Sequence, residues 1–297
     1  MPFGARARAS VIELAGGDMT LTLAPNLGAA ALSLAWRGQD ILRPAPVTTK
    51  DVMRTASFPL APFANRIANG RFRFDGQAVS LKRNYGGEKH PLHGYAWLMP
   101  WRTEETGDGF ARLTLRAEKS AWPWAFSCER TIRLDGTGAH FGLALRNESK
   151  RPMPAGIGFH PAFARPRGST LKAHVSGVWR TNDDMLPTHF DPFTDLPDMA
   201  RGAALDAAPL VDHCHPGWDG AATLLTPTLE ITLAASNELG FLHLYMPQGA
   251  DFLCIEPVSA MPDAVNRADT ANSGLRVLAP GETLSGWMRI SAAPRGG

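Results

Sequence analysis

Residues 58–101 read FPLAPFANRIANGRFRFDGQAVSLKRNYGGEKHPLHGYAWLMPW. Phe72 and Phe74 alternate with Arg71 and Arg73, Asp75-Gly76 breaks the run, and Val79 and Leu81 resume it. A period of two on both sides of Asp-Gly predicts two half-buried strands joined by a tight turn. The predicted hairpin separates two irregular polar segments, one ending at Asn65-Arg66 and the other at His93-Gly94. Loop residues held by a rigid hairpin are where binding and catalysis concentrate.

The same alternation recurs on either side. Met19, Leu21 and Leu23 form the first predicted strand after a frayed start, and Ala29 to Trp36 is its partner across a Pro25-Asn26 turn. Residues 44–57 lack a clean period and read as a loop or short helical turn. Downstream, Leu113, Leu115 and Ala117 share one parity, as do Phe126, Cys128, Ile132 and Leu134, then Phe141, Leu143 and Leu145. Further strands centre on Leu229–Leu233, Leu242–Met246 and Leu284–Ile290. No helical period is sustained over ten residues, so the chain reads as all-β, a large antiparallel sandwich or barrel. Residues 179–220 depart from the pattern: five prolines and eight aspartates interrupt it, which predicts a long functional or mobile loop. No linker composition or fixed-period repeat divides the chain, so one domain spanning 1–297 is expected.

Composition narrows the function. Glycine and proline number 29 and 24 of 297 residues, which favours turns over long helices. A net charge of +2 gives no electrostatic reason for a nucleic-acid partner. Three widely spaced cysteines form neither a disulfide framework nor a paired zinc motif. MPFGARARAS has no apolar stretch behind its basic residues, and the apolar run 28–36 is too short to span a bilayer, so a cytoplasmic protein without a membrane partner is expected.

The polar residues that could carry chemistry are dispersed: Asn65-Arg66, His93 in HPLHG, His160 in GIGFHPAF, Asp212 in LVDHC and Glu256 in FLCIEP. Glu256 closes the apolar run Phe252–Ile255. A carboxylate there is costly to bury unless hydrogen-bonded or used, and desolvation raises its pKa toward that of a general base near neutrality. A structural ion pair would account for it equally well. Glycines 156 and 158 permit a close approach near His160; a neighbouring Glu would hold that histidine protonated as an acid, and a core histidine satisfied by a backbone carbonyl is at least as common. His213 and His215, facing one way in a strand, could instead share a metal, as could His90 and His93 more loosely. No Gly-x-Ser-x-Gly elbow or P-loop is present. Trp97, Trp101, Trp122, Trp124 and Trp218 would stack on sugars if exposed, or belong to the core.

Five segments, PFANRIANGRF (62–72), HPLHG (90–94), GFHPAF (158–163), LVDHC followed by GWDG (217–220), and IEPVSAMPDAVN (255–266), occur in an order that resembles the aldose 1-epimerase (galactose mutarotase) family. The resemblance implies a galactose mutarotase-like β-sandwich that interconverts the α and β anomers of a free aldose without metal or redox cofactor. It implies Glu256 as the base at the anomeric hydroxyl and His160 as the acid at the ring oxygen. His93 and Arg66 would bind sugar oxygens and steady developing charge, Asp212 the distal hydroxyls, with Asn65 beside them. Ala162 replaces a frequent aromatic, and it and the 179–220 segment would border the sugar. Arg54 and Arg71 are the basic residues that would suit a phosphate. Two other classes fit some of the same residues: a carbohydrate-binding or sugar-sensing protein without turnover, and a metal-dependent hydrolase using His213 and His215.

Overall fold

A computed structural model describes residues 11–267 and 270–296. Two large antiparallel sheets, of twelve and nine strands, carry the chain. The larger runs from Ile12–Gly16 at one edge through Met19–Ala24, Ala30–Trp36 and Gln39–Leu42 to Ala162–Ala164. It continues through Phe252–Val258, Phe241–Met246, Val211–Pro216 and Val178–Thr181 to Pro187–Asp191 at the other. The smaller sheet is built around Thr283–Pro294, flanked by Leu229–Ala235 and Gly138–Asn147.

Period-two alternation explains why these segments pack face to face. Leu21, Leu34 and Ile41 from the larger sheet meet Leu113, Leu143, Ile231 and Met288 from the smaller in one buried cluster. Each such side chain contributes roughly 1.5–3 kcal/mol on burial, so the shared apolar parity is what holds the sheets together. Among the described residues, Thr270–Ser273 is the only α-helix, and no helix is long and apolar enough to cross a membrane.

The predicted hairpin is present as Arg71–Phe74 and Gln77–Ser80. Asp75 and Gly76 take φ of 49° and 72° between them, the primed-turn conformation that Asp-Gly favours. The opening strand pair and its turn are also where expected. Two expectations need correction. A strand at Ile12–Gly16 precedes the first predicted one, and with only Leu14 buried it gives little alternation to read. Residues 179–220 are not one long loop: they carry Pro187–Asp191, Ala203–Ala204 and Val211–Pro216, and several of their aspartates serve turns, such as Asp191 accepting from the Phe193 N–H. Arg130, on the apolar parity of its strand, is fully buried and donates to the Ala29 carbonyl. The reading of MPFGARARAS lies outside the described residues.

Candidate active site

The adjacent strands Val211–Pro216, Phe241–Met246 and Phe252–Val258 build one wall of the site. Val211, Leu242, Leu244, Met246, Leu253 and Ile255 point into the core. The alternate residues therefore point away from it, and Asp212, His243, Tyr245 and Glu256 line a pocket of about 450 Å³. Register aligns them: His243 lies opposite Glu256 and Asp212 opposite Tyr245.

His160 reaches the same face from the connection between Gly158–Phe159 and Ala162–Ala164. Gly158 pairs with Val258 and Ala162 with Cys254, which sets His160 across from Glu256. Its Nε2 is 3.3 Å from Glu256 Oε1, and the Phe58 ring stacks on it with centroids 4.5 Å apart. A Cβ on Gly158 would lie 2.6 Å from Val258 Cγ1 and 2.9 Å from the Pro257 carbonyl oxygen. The glycine is thus required for backbone packing, not ligand approach. Gly158→Ala is expected to cost about 1–3 kcal/mol through overpacking, read as a lower urea midpoint, and to reduce activity by loosening the His160–Glu256 contact.

The hairpin brings the two polar segments together. The His93 N–H donates to the Asn65 carbonyl over 2.9 Å, and the Asn65 N–H donates to His93 Nδ1 over 3.2 Å. Because Nδ1 accepts, a neutral His93 carries its proton on Nε2 and can offer it to a ligand. Asn65 and His93 both sit in the left-handed region, at φ 57° and 58°. Gly94, at φ 70°, packs so closely on Ala61 that a Cβ would meet its carbonyl oxygen at 2.1 Å. Arg66 spreads its guanidinium between Glu88, at 3.1 and 3.3 Å, and Asp212 Oδ2 at 3.5 Å. Asp212 Oδ1 is in turn 2.8 Å from His243 Nε2.

Burial dominates the titration of this cluster. Glu256 is raised well above the carboxylate range, by desolvation first and then by the negative charge of Asp212. Desolvation lowers His160 to about 3 and lowers His93 well below its ordinary value, with His160 and Arg66 adding to the effect. Burial alone would raise Asp212, but the hydrogen bond and charge of His243, with Arg66, outweigh it and hold Asp212 low. The expectation that Glu256 keeps His160 protonated therefore meets an opposing effect: burial disfavours the charged form of both groups, raising Glu256 and lowering His160.

All six predicted site residues, Asn65, Arg66, His93, His160, Asp212 and Glu256, line this one pocket. His90 joins them, its Nδ1 accepting from the Asn69 N–H. His213 and His215 do not: they share the parity of Val211, His213 contacting Thr181 and Asp195, His215 the Leu242 carbonyl. The five tryptophans are buried and none lines the pocket. Ala162 is also buried outside the lining, so the sugar-bordering position expected for it is not occupied. The 179–220 segment does reach the pocket, through Asp183, Asp184, Met185, Leu210 and Asp212. Glu88, His243 and Tyr245 were missed. His243 and Tyr245 are the polar parity of a strand whose apolar parity was read correctly, and that alternation was the available signal.

The aldose 1-epimerase family profile matches residues 10–291. The chain belongs to the aldose 1-epimerase family. Among curated relatives of this epimerase-family chain, the Escherichia coli K12 protein YphB, itself described as uncharacterized, is 27% identical over 293 residues, covering 95% of this chain and 98% of its own. A provisionally named aldose 1-epimerase from the same organism has a solved structure with a TM-score of 0.89 at 24% identity, covering 96% of this chain and 99% of its own. A GalM/aldose epimerase homologue from Caenorhabditis elegans gives 0.83 at 19% identity, covering 97% and 99%. At these identities the two structures establish the fold, which is galactose mutarotase-like, as the sequence resemblance implied.

Proposed function

We propose that this family member is a mutarotase acting on a free, uncharged aldose, with Glu256 and His160 as its proton-transfer pair. The observation that carries this reading is the 3.3 Å contact between His160 Nε2 and Glu256 Oε1 on the floor of a polar pocket. Opening a hemiacetal ring needs one proton removed from the anomeric hydroxyl and one delivered to the ring oxygen. The pair holds one proton, and the contact lets it pass between them without solvent. When a sugar hydroxyl donates to Glu256, the carboxylate form is stabilised and the proton moves to His160. Glu256 then takes the hydroxyl proton while His160 gives its own to the ring oxygen, and the bond between the anomeric carbon and that oxygen breaks. The pair is left with the proton on Glu256, its resting distribution. Rotation about the bond between the first two carbons and the reverse transfers yield the other anomer.

The surrounding groups position and stabilise. His93, neutral with its Nε2–H available, is suited to meet a developing partial negative charge without ionising. Arg66 and Asp212 offer a donor and an acceptor to hydroxyls, Asn65 fixes His93 and Arg66 through its backbone and Oδ1, and His243 anchors Asp212.

Charge selects among sugars. Glu88, Asp183, Asp184 and Asp212 line the pocket against the cations Arg66 and Lys89. Arg66 is held by Glu88 and Asp212, and Lys89 Nζ is 2.6 Å from Asp184. Neither Arg54 nor Arg71 lines the pocket. A dianionic phosphate would meet carboxylates and already paired cations, and like-charge juxtaposition costs several kcal/mol. Anomer exchange measured by NMR on glucose, galactose and glucose 6-phosphate tests this. We expect kcat/KM for the phosphate at least about ten-fold below the better neutral sugar; equal or higher activity on the phosphate would overturn the assignment.

A further inference from the structure

Behind the proposed proton-transfer pair lies a third side chain that the reaction does not use. Cys254 stands two residues before Glu256 in Phe252–Val258 and so shares its face. The imidazole nitrogen of His160, Sγ of Cys254 and a carboxylate oxygen of Glu256 all lie within 4.8 Å of one another, and all three residues are buried. Nitrogen, sulfur and oxygen donors from His, Cys and Glu are the set that zinc-group cations accept, with bonds of about 2.0–2.3 Å. Tetrahedral bonds of that length separate donors by roughly 3.3–3.8 Å. His160 and Glu256 already stand 3.3 Å apart, so closing the set requires the thiol to approach by no more than about an ångström. His160 and Glu256 line the pocket, which supplies the entry path and leaves a fourth coordination position for water.

We propose that His160, Cys254 and Glu256 form a binding site for a thiophilic divalent cation of the zinc group, and that its occupancy switches the enzyme off. Binding displaces the proton shared by His160 and Glu256 and the proton of the Cys254 thiol. One cation enters and two protons leave to buffer, with no change of oxidation state. The pair is then committed to the metal and can no longer exchange a proton with a sugar. The inhibitory half of this proposal rests on the mutarotase reading; the binding half does not.

Cadmium titration of the whole protein tests binding directly, because a cadmium–thiolate bond absorbs in the ultraviolet. Wild type is expected to develop the band at one equivalent and lose it to EDTA. Cys254→Ala and Cys254→Ser, the second kept in case the first fails to fold, should not develop it, whereas Cys128→Ala, altered in the other sheet, should. Zinc is expected to inhibit anomer exchange reversibly, with half-inhibition shifted at least ten-fold upward in the Cys254 variants, each rate taken relative to its own metal-free rate. No band in wild type, or a band and inhibition unchanged in the Cys254 variants, would overturn the site. A Cys254-dependent band in a protein that does not exchange anomers would uphold the site and remove the mutarotase reading instead.

Discussion

Glu256→Gln is expected to lower kcat for anomer exchange by about 10²–10⁴-fold, the usual contribution of a positioned general base. The substitution is nearly isosteric and leaves the pocket shape intact, so sugar binding should survive. Stability should move the other way. The folded-state pKa of Glu256 is raised by burial and by Asp212, so the stability the carboxyl contributes is full below the ordinary carboxylate range and is lost as pH rises toward the folded value. Near neutrality wild type carries that penalty and Gln does not. The variant should therefore be more stable by about 0.5–2 kcal/mol at neutral pH, with the gap narrowing toward pH 4.5, the ordinary value for Glu. Thermal melts across that range read the trend; a variant less stable at neutral pH would mean that Glu256 is a structural ion-pair partner.

His160→Gln should cost a similar 10²–10⁴-fold in kcat with KM little changed, because a proton delivered to the ring oxygen is an interaction made only in the transition state. The wild-type pH profile should also report the pair. His160 takes a second proton only near 3, and the shared proton is lost above the raised Glu256 value, so kcat/KM should hold through mildly acid pH and fall on the alkaline side. These limbs belong to the pair, not to either residue. In His160→Gln the residual rate should no longer follow that profile. A rate within about three-fold of wild type, against the 10²-fold minimum, would remove His160 as the acid.

The fold was legible because nearly every strand faces a core on one side. Phe72 against Arg71, or Leu113 against Arg112, declares its parity within a few residues, and Asp75-Gly76 declares its turn. The site was legible where a polar residue interrupts an apolar run or ends it, as Glu256 and His160 do, and where the hairpin separates two polar segments, as at Asn65-Arg66 and His93. What sequence could not supply is register. Nothing local says that residue 243 lies opposite 256, so nothing in the sequence singles out His243 and Tyr245. Glu88 was hidden for another reason, since it lies in an irregular loop whose only clue is its contact with Arg66. The same lack of register made the His213/His215 pair attractive: the two do share a parity, but it is that of Val211, away from the pocket. Protonation was misjudged because a neighbouring carboxylate was assumed ionised, whereas equal burial of both partners favours the uncharged pair.

The central claim is that this pocket opens and recloses a sugar ring. Polarimetry of freshly dissolved α-D-glucose and α-D-galactose, with and without catalytic amounts of wild-type protein, measures that event directly. Faster approach to the same final rotation with at least one of the two sugars is the predicted result. Unchanged rates with both, from protein shown by calorimetry to bind them, would contradict it and leave a pocket that holds sugars without turning them over.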